Sequence, residues 1–179
     1  MRHPTVRGCV RLMVVMLGVV SLTGLATAQG SVERGEYLVN LMGCHDCHTP
    51  RGPDGRPMTP FTLAGHPPEA PVAVYQDGSL GSFALTNTSW AGPWGVSFAR
   101  NLTPDPDTGL GRWTEADFIK AARTGQKPNG VLILPPMPWP SLAHATEADL
   151  KAMWAYLQSL PPIKNAMPVN VPPPAPKGQ

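Results

Sequence analysis

Cys44-His45-Asp46-Cys47-His48 is the stretch that decides how this chain is built. The spacing C-x-x-C-H is the attachment signature of c-type haem. Two thiols three residues apart lie on one helical turn, so each can add to a vinyl group of the same porphyrin. The histidine that follows Cys47 then lies beside the ring and can present its imidazole to the iron. The motif therefore predicts one covalently bound haem c per chain, held by Cys44 and Cys47, with His48 as a metal ligand.

Three other readings of the two cysteines are weaker. A zinc site would need two more ligands at finger-like spacing, and the one remaining cysteine, Cys9, lies near the N-terminus. A thioredoxin-like redox pair should open a helix after a strand, whereas residues 33 to 42 have a helical pattern. A structural disulfide between adjacent turns would close a very small loop and add little stability.

The N-terminus has the pattern of an export signal. Three arginines accompany an apolar stretch from residue 12 to residue 26, and Ala26-Thr27-Ala28 forms a small-x-small cleavage site. Residues 1–28 are therefore predicted to be a signal peptide, and the protein is expected to be exported to the periplasm. The alternative is an uncleaved membrane anchor, although the apolar run is shorter than the ~20 residues that span a bilayer. Contact with a membrane is expected only through a partner or through such an uncleaved signal.

Composition limits the class of protein further. With the three signal arginines removed from the 14 basic residues, 11 remain against 12 acidic ones, so the net charge of the rest is −1. No basic run is present, so a nucleic-acid partner is not expected. The 23 prolines and 18 glycines predict many turns and few long elements. A porphyrin would supply an apolar surface around which such short elements can pack.

Three segments are predicted to be helical. Residues 31 to 42 repeat apolar side chains at helical spacing and lead to Cys44, and Gly35 on that face would allow another helix to approach. Thr114-x-x-Asp117 and Thr146-x-x-Asp149 are start signals for helices that end near residues 124 and 159.

The remaining segments are predicted to be turns and loops. Prolines and glycines forbid a continuous helix between residues 50 and 100, where residues 72 to 75 and 82 to 85 are candidate short strands. The tail, residues 164–179, is rich in proline and is expected to be extended or disordered. A solvated tail is preferred, and the alternative is a tail that wraps the body or leads to a partner. Residues 29–163 then form the single folded domain.

The second axial position of the iron needs a candidate. Met137 lies between prolines in Leu134-Pro135-Pro136-Met137-Pro138-Trp139-Pro140, which pre-orders the loop and lowers the entropy cost of presenting a thioether. We therefore predict Met137 as the second cofactor-binding and metal-ligating residue. His66 and His144 are the alternative ligands. A further alternative is that the second position on the iron is left open.

Longer stretches of the chain are similar to a known family. The matching segments are Arg34-Gly35-Glu36-Tyr37-Leu38-Val39, Cys44-His45-Asp46-Cys47-His48-Thr49, Asn101-Leu102-Thr103-Pro104-Asp105 with Gly109-x-Gly111-x-Trp113, Met137-Pro138 and Ala155-Tyr156-Leu157-Gln158-Ser159-Leu160-Pro161-Pro162. Together they cover about residues 33 to 163. The chain resembles class I c-type cytochromes, especially the single-haem modules in cytochrome subunits of bacterial dehydrogenases.

This resemblance implies an all-α, cytochrome c-like fold, with short helices and long Pro/Gly-rich loops around one haem. It implies that the first and last helices cross near Gly35, that Cys44 and Cys47 carry the thioether bonds, and that His48 and Met137 are the axial ligands. Related subunits often carry three such modules, whereas this chain has one, so a periplasmic shuttle or small partner subunit is expected.

The expected function is one-electron transfer without catalysis by the chain itself. The expected partners are redox proteins: a dehydrogenase as donor, and an oxidase or another cytochrome as acceptor. Two other function classes remain open. One is a haem enzyme or gas sensor with an open distal site, and the other is a thiol protein without haem.

Overall fold

The structure is a computed structural model that describes residues 31–76 and 79–173. The predicted signal peptide, residues 1–28, lies outside the described residues. Within them, no helix is both long and apolar enough to cross a lipid bilayer.

Five helices and one 3-10 turn account for the helical part of the described chain. Helix α1 covers residues 31–41, and a short turn joins it to α2, Cys44–His48. After the 3-10 turn Thr59–Phe61 come α3, Glu115–Thr124, α4, Trp139–Leu142, and α5, Glu147–Ser159. The three helices predicted from the sequence are therefore confirmed.

The predicted start signals form caps. The Thr114 side chain accepts a hydrogen bond from the Asp117 backbone N–H, and the Asp117 carboxylate accepts one from the Thr114 backbone N–H. Thr146 caps α5 by accepting from the Asp149 N–H. Gly125 ends α3 with φ of 67°, the left-handed conformation that glycine adopts without a Cβ penalty.

The core forms where α1 crosses α5. A Cβ placed on Gly35 would lie 2.7 Å from Tyr156 Cβ and closer still to the Ala152 carbonyl oxygen, so only glycine permits this approach. The predicted role of Gly35 is thereby confirmed. Ten buried residues make up the core cluster: Leu38, Val39, Leu63, Leu110, Ala122, Leu142, Leu150, Ala152, Met153 and Leu157.

A small antiparallel sheet departs from the all-α prediction, which is confirmed only in part. Strands β1 (Ser82–Phe83), β2 (Ser89–Gly92) and β3 (Gly95–Phe98) pair in the order β1-β2-β3. A two-residue loop joins β2 to β3, and Gly95 at its end has φ of 96°. The prolines and glycines of residues 50–100 predict turns, so the sequence gives no signal for this hairpin. Residues 72 to 75 form no strand, and residues 82 to 85 form one only at their first two positions.

Residues 163–171 pack along the body of the protein, and we call this segment the C-terminal strap. Asn165 is 3% exposed and its side-chain amide donates to the carbonyls of Ala64 and His66 at 2.7 and 3.0 Å. Val171 pairs with Val96 of β3 through two backbone hydrogen bonds of 2.8 and 2.9 Å. The preferred prediction of a solvated tail is therefore wrong for residues 164–171, and the alternative of a tail that wraps the body describes them, because buried polar partners and backbone pairing hold them in place.

Candidate functional site

The attachment motif folds as one and a half turns of helix directly after α1. Gly43, with φ of 67°, reverses the chain between the two helices, and its open α-carbon leaves room for the Asp46 carboxylate. Cys44 and Cys47, three residues apart on α2, therefore project from the same side of the helix. Both are half-buried and both are free thiols in the structure.

The electrostatic environment keeps these thiols neutral. Burial raises the pKa of Cys44 to about 11, and burial together with the Asp46 charge raises the pKa of Cys47. A redox-active dithiol instead needs an electropositive setting that lowers the pKa of its attacking sulfur. The motif also follows a helix rather than a strand. The thioredoxin-like reading is thus disfavoured on two physical grounds.

His48 is oriented by a backbone carbonyl. It is 7% exposed, and its Nδ1 lies 2.7 Å from the carbonyl oxygen of Arg100. A carbonyl only accepts, so the proton is on Nδ1 and Nε2 keeps its lone pair. Burial also lowers the pKa of His48, which favours the neutral ring. A neutral imidazole with one nitrogen fixed by a carbonyl is the usual form of a metal-ligating histidine.

Met137 lies in a loop that three contacts hold in place. The Ile133 N–H donates to the Gly125 carbonyl at 2.7 Å, and the Ser97 hydroxyl donates to the Pro135 carbonyl at 2.5 Å. The ring of Trp139 packs on Gly125, where a Cβ would come within 2.5 Å of it. The Met137 side chain is half-buried and packs against the core cluster. The loop is therefore anchored at both ends of the proline-rich stretch.

One cavity brings the four predicted site residues together. It measures about 620 Å³, and its wall includes Cys44, Cys47, His48 and Met137. This volume falls within the ~300–1,000 Å³ typical of cofactor and ligand sites. Much of the remaining wall is aromatic or aliphatic: Trp90, Phe98, Leu102, Leu110, Trp113, Phe118, Ile133, Leu134, Trp139 and Leu142.

The other candidate ligands either lie outside the cavity wall or come from the same segment as the attachment motif. His66 and His144 are not among the residues that line the cavity. His66 is fully buried, and its Nδ1 lies 2.8 Å from the Thr88 hydroxyl. Met42 lines the cavity as well, but it is two residues before Cys44 and so belongs to the attachment side. Met137 is the thioether that comes from a different part of the chain.

The cavity also carries two cations that the sequence reading missed. Arg100 and Lys127 both line it, and neither forms an ion pair with an acidic side chain of residues 31–76 or 79–173. Burial lowers the pKa of Lys127, and the Arg100 charge lowers it further. Isolated basic residues give no sequence signal of this kind, because only the fold places them at one cavity.

These features together fit a haem. Two neutral thiols on one helical turn, an imidazole with Nε2 available, and a thioether face one apolar space. Two cations that form no ion pair with an acidic side chain in the described part of the chain suit the two carboxylates of a porphyrin. The residues therefore match the covalent, axial and charged requirements of that cofactor.

Comparison with known proteins identifies the same family. The cytochrome c family model matches residues 32–161. The chain is 31% identical to the gluconate 2-dehydrogenase cytochrome c subunit of Pantoea cypripedii over 87% of its own length and 30% of that protein. It is 31% identical to the cytochrome c subunit of the quinone-type alcohol dehydrogenase of Gluconobacter oxydans, over 74% of this chain and 23% of that subunit.

A third relative is smaller. The chain is 31% identical to a diheme cytochrome c-type protein of Cereibacter sphaeroides over 76% of its own length and 38% of that protein. The chain thus spans well under half the length of these curated relatives.

Proposed function

Because the chain belongs to the cytochrome c family, as a class I c-type module related to dehydrogenase cytochrome subunits, we propose that it is a one-electron carrier with a single haem c. Electron transfer and haem binding are properties of the family. The sequence contains one C-x-x-C-H, which supports one haem per chain. When bound, the haem supplies reversible one-electron chemistry at its iron.

Each site residue has a distinct role in this proposal. Cys44 and Cys47 would hold the cofactor covalently, so that it cannot dissociate from the protein. His48 would offer Nε2 to the iron, while the Arg100 carbonyl fixes its Nδ1–H. Met137 would offer its sulfur as the second protein ligand, and a His/Met pair gives a higher reduction potential than His/His.

One observation carries the proposal: two thiols, a neutral imidazole and a thioether from separate segments line a single apolar cavity. A Met137 thioether bound to the iron would occupy the position that a gas sensor or haem enzyme leaves open. The half-buried thiols place the attachment edge close to the surface, where a redox partner can approach. The chain itself then needs no acid, base or nucleophile.

Location and partners follow from the same proposal. We infer export to the periplasm, with residues 1–28 as signal peptide, residues 29–163 as the cytochrome c domain and residues 164–179 as a Pro-rich C-terminal tail. The relatives are cytochrome subunits of dehydrogenases, which supports redox proteins as partners in general. For this chain we propose a dehydrogenase donor and a respiratory oxidase or another cytochrome as acceptor.

The test is expression with a haem-attachment system, followed by intact mass and a pyridine haemochrome spectrum. We expect one covalent haem, a ferric methionine–iron charge-transfer band, and slow binding of CO by the reduced form. Cys44→Ala with Cys47→Ala should abolish covalent attachment. Met137→Ala should remove the band and admit CO, whereas the control Met58→Ala, outside the cavity wall, should change neither.

The contradicting results are equally clear. A colourless mature protein with free thiols would refute the haem carrier. A wild-type reduced form that binds CO rapidly would refute Met137 ligation and favour an open distal site.

A further inference from the structure

The peptide group that joins Arg100 to Asn101 is hydrogen-bonded on both of its sides. Its carbonyl oxygen accepts from His48 Nδ1 at 2.7 Å, and its N–H donates to the Met167 sulfur at 2.9 Å. The six atoms of a peptide unit lie close to one plane, so the two bonds fix the same rigid group. Met167 therefore acts on the carbonyl that orients His48, although it does not line the cavity itself.

We propose that Met167, held by the C-terminal strap, is a positioning residue that sets the strength of the His48–Arg100 hydrogen bond and through it the reduction potential. This inference rests on the proposed function, because it assumes that His48 binds the iron.

The strap brings Met167 to this place through bonds on both sides of it. On the N-terminal side, the Asn101 side-chain amide donates to the Ile163 carbonyl at 2.7 Å, and buried Asn165 bonds to two further carbonyls. On the C-terminal side, the Asn170 side chain accepts from the Phe98 N–H at 3.2 Å. Hydrogen bonds before and after Met167 in the sequence thus hold the strap in place and keep its sulfur next to the Asn101 N–H.

The Arg100–Asn101 peptide is buried, so the Met167 sulfur is the acceptor on which its N–H depends. Asn101 is 1% exposed, so water does not replace Met167 as acceptor for its N–H. A peptide whose N–H is engaged has a more strongly accepting carbonyl, because hydrogen bonds in a chain polarise one another. A stronger acceptor draws the Nδ1 proton toward itself, so the imidazole donates the Nε2 lone pair more strongly to the iron. Better donation favours the ferric state and lowers the potential.

Three substitutions separate this effect from general packing. Met167→Leu keeps most of the volume and removes the acceptor. Met167→Gln places an amide oxygen near the position of the sulfur and should restore the bond. Met58→Leu is the matched control, because Met58 is also half-buried and its sulfur makes no hydrogen bond within the described part of the chain.

The measurements are the midpoint potential of the haem-loaded protein and the hydrogen-exchange rate of the Asn101 backbone N–H. For Met167→Leu we expect the ferrous-to-ferric ratio at a fixed solution potential to rise about threefold. Because a tenfold change in this ratio corresponds to 59 mV for a one-electron couple, the midpoint potential should rise by about 28 mV. The Asn101 amide should exchange about tenfold faster or more. Met167→Gln and Met58→Leu should both stay at the wild-type values.

An unchanged potential in Met167→Leu, or an equal shift in Met58→Leu or Met167→Gln, would overturn the inference while the carrier function stands. A wild-type protein without covalent haem would overturn the proposed function and this inference with it. The two failures are therefore distinguishable in the same set of samples.

Discussion

Gly35→Ala tests the crossing of α1 and α5 most directly. The added methyl carbon would lie 2.7 Å from Tyr156 Cβ, and the Ala152 carbonyl oxygen would be nearer still. Carbon atoms pack at about 3.5–4.0 Å, so the two helices would have to separate by about 1 Å. The obstacle is backbone and Cβ rather than the end of a flexible side chain, so no rotamer change relieves it.

The expected cost follows from two opposing terms. Overpacking a well-packed interface costs about 1–3 kcal/mol, and a backbone contact belongs at the upper end. Alanine is a better helix former than glycine by up to about 1 kcal/mol, which offsets part of the loss. We therefore expect Gly35→Ala to lower the free energy of unfolding by about 2 kcal/mol. With a denaturant slope of about 2 kcal/mol per molar, the urea midpoint falls by about 1 M.

The assay is urea unfolding of the haem-loaded protein, followed by circular dichroism and haem absorbance. Asn40→Ala is the control, because it adds a helix former on the exposed side of the same helix. It should match or slightly exceed the wild-type stability. If Gly35→Ala were as stable as Asn40→Ala, the close approach of the two helices would not be what selects glycine here.

Three further predictions concern the distal ligand, a helix cap and the strap. Met137→Ala should abolish the methionine–iron band and lower the potential, measured by spectroelectrochemistry; retention of the band would exclude this sulfur as ligand. The hydrogen bonds from Thr114 lower the pKa of Asp117, so its stabilising effect should be present above about pH 4, the value of a free carboxyl, and be lost as pH falls below it. The unfolding free energies of Asp117→Asn and wild type should thus converge at low pH, and a pH-independent difference would contradict the linkage. Asn165→Ala leaves two buried carbonyls without their donor, so we expect a loss of about 2–4 kcal/mol in urea unfolding; a loss below 0.5 kcal/mol would show that the strap contributes little.

The local features of this protein were readable from its sequence. The attachment motif, the Thr-x-x-Asp helix starts and the helical spacing of α1 each depend on residues a few positions apart. Gly35 could be flagged for the same reason, since it interrupts an otherwise apolar helix face. Met137 could be proposed as a ligand because prolines on both sides mark a rigid loop, and the structure places it in the cavity wall. Each of these signals is a local rule of backbone or capping chemistry.

The features that were missed all depend on long-range contacts. The acceptor for His48 comes from Arg100, 52 residues away, and any residue could supply a carbonyl. The β2–β3 hairpin lies among prolines and glycines that favour turns, and its third partner, Val171 of the strap, pairs with Val96 from 75 residues away. The strap itself looked like a solvated tail because its polar side chains only find buried partners once the body has folded.

The two sides of the cavity therefore differ in how they are built. The side formed by α2 is built from adjacent residues and should form with the attachment motif itself. The side formed by residues 96–101 depends on its pairing with β2 and the strap, whose contacting residues lie 5 to 75 positions away in the sequence. Substitutions on that second side should leave attachment at Cys44 and Cys47 intact while changing the orientation of His48. The reduction potential is then the property most sensitive to residues far from the motif, and it can vary among such chains without any change in the ligands.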